Sequence, residues 1–302
     1  MSVPLFDPQP LPFAPCELGE SPFWHPEEAC LYWCDIPGRE VHRADPVRLT
    51  HERWHFDCEP ACCMPVLGGG LLLAMRDGLW RFDPASGQRV RLASPPYDPA
   101  VQRFNDGKAD AQGRVWVGTL HEPKDRPAAA LYRWSHGEIE RMAEGITTSN
   151  GLAWSPDGRT LYWSDTQAHC IYALDVDAQD GSLTRRRVFQ QFPLKVPDQD
   201  LDQYGGRPDG AAVDAEGGYW VAMFEGQCLL RLTPDGAIDR RVVLPVRCPT
   251  MPCFGGPDLR TLYVTTARHK RPASELARMP WSGCVLQMRV EVPGLPTNFA
   301  VL

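Results

Sequence analysis

Four side chains with oxygen to offer stand at a near-constant distance ahead of a tryptophan. Glu20 precedes Trp33 and Asn150 precedes Trp163 by 13 residues, while Asn105 precedes Trp116 and Asp209 precedes Trp220 by 11. Carboxylate and amide oxygens ligate hard cations, and carboxylates also hold and deprotonate water. The stretches between them, GESPFWHPEEACLYW, NDGKADAQGRVW, NGLAWSPDGRTLYW and DGAAVDAEGGYW, each run from polar residue to apolar stretch, turn and aromatic strand. Each stretch therefore reads as one structural repeat, with the two-residue difference lying inside the turn. A closed ring of repeats brings equivalent positions together at one end. Gly19, Gly107, Gly151 and Gly210 stand beside or close to the four residues, where backbone must pass tightly near an axis. One Asn-Gly or Asp-Gly is an ordinary turn; a phased set of them is not.

GGGLLLAM at 68–75 and DLRTLYVTTA at 258–267 share the turn-then-strand character and raise the copies to six. With Tyr32, Leu72, Val115, Tyr162, Tyr219 and Tyr263 as matching points, the steps are about 40, 43, 47, 57 and 44 residues, near the period of a four-stranded blade. Each copy continues into a second strand ending in a turn, as in LWRFDPASG and LLRLTPDG, which is the pattern of a meander. The predicted fold is all-β, a six-bladed β-propeller of four-stranded antiparallel blades forming a single domain over 1–302. The N-terminal segment and the last strands, around Val285 to Val292, are expected to close the ring together. The four tryptophans read as packing between blades. Helical periodicity is confined to a short turn around Ala273 to Met279. The longest step contains FPLKVPDQDLDQYGGRPDG, so the loop 193–208 is expected to overhang the end that carries Asp209. Its Asp198, Asp200 and Asp202 resemble a calcium loop only superficially, since Gln203 stands where the sharp turn needs glycine.

Thirty prolines, 26 glycines and ten tryptophans in 302 residues, without an apolar run near 18, favour a soluble β protein and exclude a membrane helix. The start, MSVPLFDPQPLPF, has no basic segment followed by an apolar core, so a cytoplasmic location is expected. Eleven scattered cysteines without a CxxC pair read as reduced, buried apolar residues. The net charge of −7 argues against nucleic-acid binding, and Arg185 to Arg187 follow a turn, as on a solvated hairpin.

Two carboxylates and an amide oxygen, from Glu20, Asp209 and Asn150, suit one divalent cation: calcium, magnesium, manganese, iron(II) or zinc. LGESPFW at 18–24, RFNDGKADAQGRVWVGTLH at 103–121, SNGLAWSPDGRTLYWSDT at 149–166, PDGAAVDAEGGYWVA at 208–222 and FGGPDLRTLYVTTA at 254–267 occur in order along nearly the whole chain. This combination resembles the senescence marker protein/gluconolactonase/luciferin-regenerating enzyme family. The resemblance implies a six-bladed propeller with a divalent metal at the channel mouth and hydrolysis of a sugar-acid lactone such as gluconolactone, xylonolactone, arabinonolactone or galactonolactone. By that resemblance Glu20, Asn150 and Asp209 fall on the metal ligands, and Arg103, Asn105 and Glu122 on the substrate-binding group. Asn105 has a second reading as a direct ligand. Asp106 and Lys108 read equally as a turn-stabilising pair or as substrate contacts. Ser21 departs from the glycine usual after the metal-binding glutamate.

Asp209 is the candidate general base, in competition with activation of the water by the cation alone. No GxSxG occurs, so a serine nucleophile has no support. His121, beside Glu122, is the most suggestive histidine, and packing is its commoner role. Two rivals keep the fold: a phosphotriesterase or aryl-ester hydrolase, with Met64, Phe224 and Met251 lining an apolar pocket, and a non-catalytic calcium-binding propeller. The expected partner is a small sugar lactone, with no nucleic acid and no membrane.

Overall fold

The computed structural model describes residues 5–302 and consists of six four-stranded antiparallel sheets arranged as the blades of a propeller. Blades 1 to 5 span residues 19–55, 60–93, 102–146, 149–191 and 207–243, each a simple meander from the innermost strand outwards. Blade 6 takes three strands from 248–289, and its outermost strand is Gln9–Pro10, which pairs antiparallel with Leu286–Arg289. The ring is thus joined by hydrogen bonds between the two ends of the chain. Ala273–Arg278 is a short helix outside the blades. Among the described residues no helix is long and apolar enough to cross a membrane.

The innermost strands line the central channel, and every one of them carries an irregularity in register. The breaks fall between Glu20 and Phe23, Pro60 and Cys62, Phe104 and Gly107, Asn150 and Ala153, Pro208 and Ala211, and Pro249 and Met251. A β-bulge adds a residue to one strand, turns the local side chains and sharpens the twist. Repeated around the ring, it re-aims one residue per blade into the channel. In blades 1 and 4 the residue after Glu20 and after Asn150 is left-handed, Ser21 with φ 51° and Gly151 with φ 63°. Ser21, where the family usually has glycine, ties itself to blade 2: its Oγ accepts from Cys63 N at 3.1 Å.

The tryptophans do pack between blades, but they are not equivalent. The turns after the inner strands of blades 1 and 4 close on the pairs His25–Cys30 and Ser155–Thr160, and those of blades 3 and 5 on Asp110–Arg114 and Asp214–Gly218. The turn accounts for only one residue of the difference in spacing. The other shifts the tryptophan along its strand, and because side chains alternate between faces, that shift reverses its direction. Trp33 and Trp163 face the preceding blade, whereas Trp116 and Trp220 face the following one. Trp116 and Trp163 consequently meet in one cluster between blades 3 and 4. Trp33, Trp116 and Trp163 are completely buried. At about 25 cal/mol per Å² of apolar surface, such rings dominate the adhesion of blade to blade.

At the opposite end of the channel from the bulges, the C-terminal segment crosses the floor. Gly294 bridges to Asp214, Thr297 Oγ1 donates to Trp24 O at 2.7 Å, Asn298 Nδ2 to Ala109 O at 3.2 Å, and Ala300 bridges to Val66. This strap joins blades 5, 1, 3 and 2 and forms the floor of a cavity between the lower ends of the inner strands.

A methyl group at Gly151 would overlap Tyr219 Oη and Ser164 Oγ, on a backbone conformation that L side chains rarely adopt. Gly151→Ala is expected to cost about 2–3 kcal/mol, read as a lower urea midpoint at unchanged slope; an unchanged midpoint would show that the bulge tolerates a side chain.

Candidate functional site

The bulges at the upper end of the inner strands bring Glu20, Arg103, Asn105, Asn150 and Asp209 to one cleft of about 610 Å³, and Glu122 lies on its wall. All six residues singled out in the sequence therefore share one cavity. Phe224 lines it too, whereas Met64 and Met251 line the cavity above the strap at the other end of the channel. The apolar pocket they were expected to form is absent from the cleft. His121 is buried elsewhere, its Nε2 2.7 Å from Asp125.

A chain of hydrogen bonds orders the site. Arg103 Nη1 donates to Asn105 Oδ1 at 2.8 Å. Asn105 Nδ2 donates to Asn150 Oδ1 at 2.9 Å and to Ser149 O at 2.8 Å. Asn150 Nδ2 in turn donates to Thr166 Oγ1 at 2.9 Å and to Asp209 Oδ1. Thr166 Oγ1 completes the run by donating to Pro208 O at 2.8 Å. Each amide is oriented by a neighbour on the next blade, so the site is rigid only while the ring is closed.

Electrostatically the carboxylates at the centre act against one another. Burial, then Asp209 and Asp106, raise the Glu20 carboxyl well above the ordinary range. Burial pushes Asp209 up to about 8, with Arg207 opposing and Asp106 adding to the rise. Asp106 is raised by burial as well, against Lys108, and its Oδ1 is buried without a hydrogen-bond partner. Its Oδ2 accepts from Leu152 N at 2.8 Å, and Lys108 Nζ donates to Ala211 O, so these two act within the channel rather than in a turn. Among the described residues no group of three His, Cys, Asp or Glu side chains forms a metal cluster. The donors that do converge are oxygens from two carboxylates and an amide, with a third carboxylate close by. That all-oxygen, charge-deficient set fits a hard divalent cation.

Several residues of the cleft went unrecognised in the sequence. Arg76 joins Glu122 through two bonds of 2.9 Å and Glu59 through bonds of 2.8 and 3.1 Å, and so locks one wall. Arg103 Nε lies 4.0 Å from Glu122 at the edge of this network. Lys124, Arg207, Glu225 and Lys270 form the other wall. The loop 193–208 holds the 3₁₀ turn Leu201–Gln203, capped by Asp200, and Asp202 pairs with Arg247. No residue of 193–206 lines the cleft; Arg207, which does, is the first residue of the inner strand of blade 5, so the loop packs beside the cleft instead of lining it.

The chain matches the family model described as SMP-30/Gluconolactonase/LRE-like region over residues 18–268. It is similar to 6-deoxy-6-sulfogluconolactonase of Pseudomonas putida, with 42% identity over 281 residues covering 93% of this chain and 94% of that protein. It is 34% identical to pentonolactonase XacC of Haloferax volcanii, covering 83% and 82% of the two chains. Among solved structures it resembles the calcium-binding protein regucalcin of Agrobacterium tumefaciens, with a TM-score of 0.88, 27% identity and coverage of 100% and 98%. Motifs, propeller, cleft and these matches lead to one assignment: the chain belongs to the SMP-30/gluconolactonase/LRE-like family.

Proposed function

We propose that this protein hydrolyses the lactone of a sugar acid to the open-chain acid, using a divalent cation held by Glu20, Asn150 and Asp209. The observation that carries the reading is the continuous hydrogen-bonded run from Arg103 to Asp209. It sets donors for a polyhydroxylated ring beside carboxylates that can hold water. The named lactonases among the relatives support the same chemistry.

When bound, the cation would supply Lewis acidity toward the lactone carbonyl. The protein's own groups do the rest. Arg103 spends Nη1 on Phe104 O and Asn105, which leaves Nη2 free to donate to a substrate oxygen. Asn105 and Asn150 keep each other oriented, so the ring meets a fixed fan of polar atoms. Asp209 Oδ1 is engaged by the Asn150 amide, and Oδ2 is the atom available to the attacking water. The water oxygen bonds to the carbonyl carbon as its proton passes to Asp209. The bond from that carbon to the ring oxygen then breaks, and the ring oxygen takes the proton back as a hydroxyl. Glu122, neutralised by Arg76, is placed to accept from a sugar hydroxyl at the wall.

The polar lining disfavours the aryl-ester and phosphotriester rival, since two of the three apolar residues expected for it lie in another cavity. The likeness to a protein titled calcium-binding favours one alternative, a propeller whose ion is structural.

Metal-stripped protein, reconstituted with calcium, magnesium, manganese, zinc or iron(II) and followed by pH-stat on a panel of aldonolactones, is expected to release acid only with a competent ion. Folded, metal-loaded protein that gives no acceleration would favour the structural ion. Asp209→Asn is expected to lower kcat by about 10² or more while bound metal, measured by elemental analysis, stays stoichiometric; near-normal turnover at full occupancy would remove Asp209 as the base.

A carboxyl whose pKa is raised on folding binds more protons in the native than in the unfolded state, so stability falls as pH rises toward the folded value. With Asp209 at about 8 and Glu20 also raised, the metal-free protein is expected to lose stability from pH 5 to 8. A divalent cation competes with those protons. The rise in Tm on adding metal should therefore be larger at pH 8 than at pH 5.5, and an equal rise at both would place the ion away from these carboxylates.

A further inference from the structure

The two walls of the cleft differ in charge. On one, Arg76 is matched by Glu59 and Glu122 in short bonds, and that wall is electrically satisfied. On the other, Lys124 and Lys270 have no carboxylate within ion-pair distance among the described residues, although both line the cleft. Arg207 shares its single acidic partner: Glu225 also takes Lys195 at 3.1 Å and Arg271 at 2.8 Å, and sits 3.3 Å from Arg207. Glu225 thus faces three cations, of which Arg271 also holds Glu275 at 2.7 Å. With Glu20 and Asp209 committed to a divalent ion, the cleft as a whole is positive, in a protein whose net charge is −7.

The excess is gathered at one spot. Burial, then Arg207 and Arg103, lower the Lys124 ammonium, with Lys270 adding to the effect and Asp209 opposing, so these cations share one neighbourhood. The Arg207 guanidinium lies 5.0 Å from the centre of the Phe224 ring, which holds it at the cleft wall. Lys124 and Lys270 are exposed and Arg207 is half-buried, so their charge is open to an anion entering the cleft, which would compensate it. A neutral sugar lactone gives no such compensation.

Resting on the lactonase reading, we propose that Lys124, Arg207 and Lys270 form a subsite for an anionic substituent, a sulfonate or a phosphate, carried at the exocyclic end of the lactone. The reacting carbonyl lies at Asp209 and the anion at the cationic wall, so the preferred substrates are acidic sugar lactones rather than plain aldonolactones. No change in the hydrolytic step is required.

The test uses the metal-loaded, full-length protein and two readouts. Calorimetry compares gluconate, 6-phosphogluconate and 6-deoxy-6-sulfogluconate, stable acids whose binding needs no turnover. A pH-stat compares kcat/KM for the three corresponding lactones. The protein is expected to bind at least one anionic acid about tenfold or more tightly than gluconate, with an advantage that shrinks as salt is raised. Lys124→Ala combined with Lys270→Ala, and separately Arg207→Gln, should lower the ratio of anionic to neutral kcat/KM by about tenfold through KM, with Arg207→Lys restoring part of it. Whichever substituent shows the larger ratio identifies the anion. Equal binding of all three acids, or a ratio unmoved by the substitutions, would overturn the subsite. Failure to hydrolyse any lactone, with the acids still discriminated, would overturn the lactonase reading and leave the anion subsite standing.

Discussion

Three carboxylates, Glu20, Asp106 and Asp209, are buried together at the axis of the ring, and their mutual repulsion in a poorly solvated space is the constraint around which the molecule is organised. Burying like charges is tolerated only when surrounding structure holds them there. Here the holding is done by inner strands whose bulges re-aim one residue per blade, and by amides that hydrogen-bond from blade 3 to blade 4 to blade 5. No blade owns the site. The tryptophans and aliphatic residues that glue blade to blade are therefore part of the polar centre's support, since separation of two blades would break the run of amides.

The pattern of four polar residues before a tryptophan was legible because it arises from that repeated architecture. In blades 1, 3, 4 and 5 the residue five positions before the one that opens the turn lies at the cleft, and the ring superimposes such positions. The six-bladed fold was readable on the same basis, from turn-then-strand periods near the length of a blade. The equivalence of the tryptophans misled, because one residue more or less along a strand reverses the side a ring points to, and spacing counted across a turn cannot divide the difference between turn and strand. Trp33 and Trp116 look alike in sequence, but the structural counterpart of Trp116 is Tyr32, which likewise faces the following blade.

The cationic wall was not legible in the chain. Lys124 and Lys270 come from connections at no shared offset from any repeat; Arg207 opens the inner strand of blade 5 two residues before Asp209, as Arg103 stands two before Asn105, and is the one member that the repeat could have revealed. Met64 and Met251 illustrate the converse. They lie on inner strands, as a pocket-lining residue should, but near the opposite end of the channel. Register along a strand decides which mouth a residue serves, and composition does not report it. Ser21 marks an intermediate case. A serine with φ 51° where a glycine is customary looks unfavourable, until its hydroxyl is found bridging to the backbone of the next blade.

The strap beneath the channel has a further bearing on traffic. Leu295 to Asn298 line the lower end of the channel, with Thr297 hydrogen-bonded to blade 1 and Asn298 to blade 3, so a ligand of the cleft exchanges through the upper mouth. What enters there passes Lys124 and Arg207, and passes them again on leaving. A molecule that gains a negative charge while bound would then meet more attraction on leaving than on entering. Where entry and exit share a mouth, the pace of successive visits is governed by egress, and ionic strength becomes a lever on throughput as well as on capture.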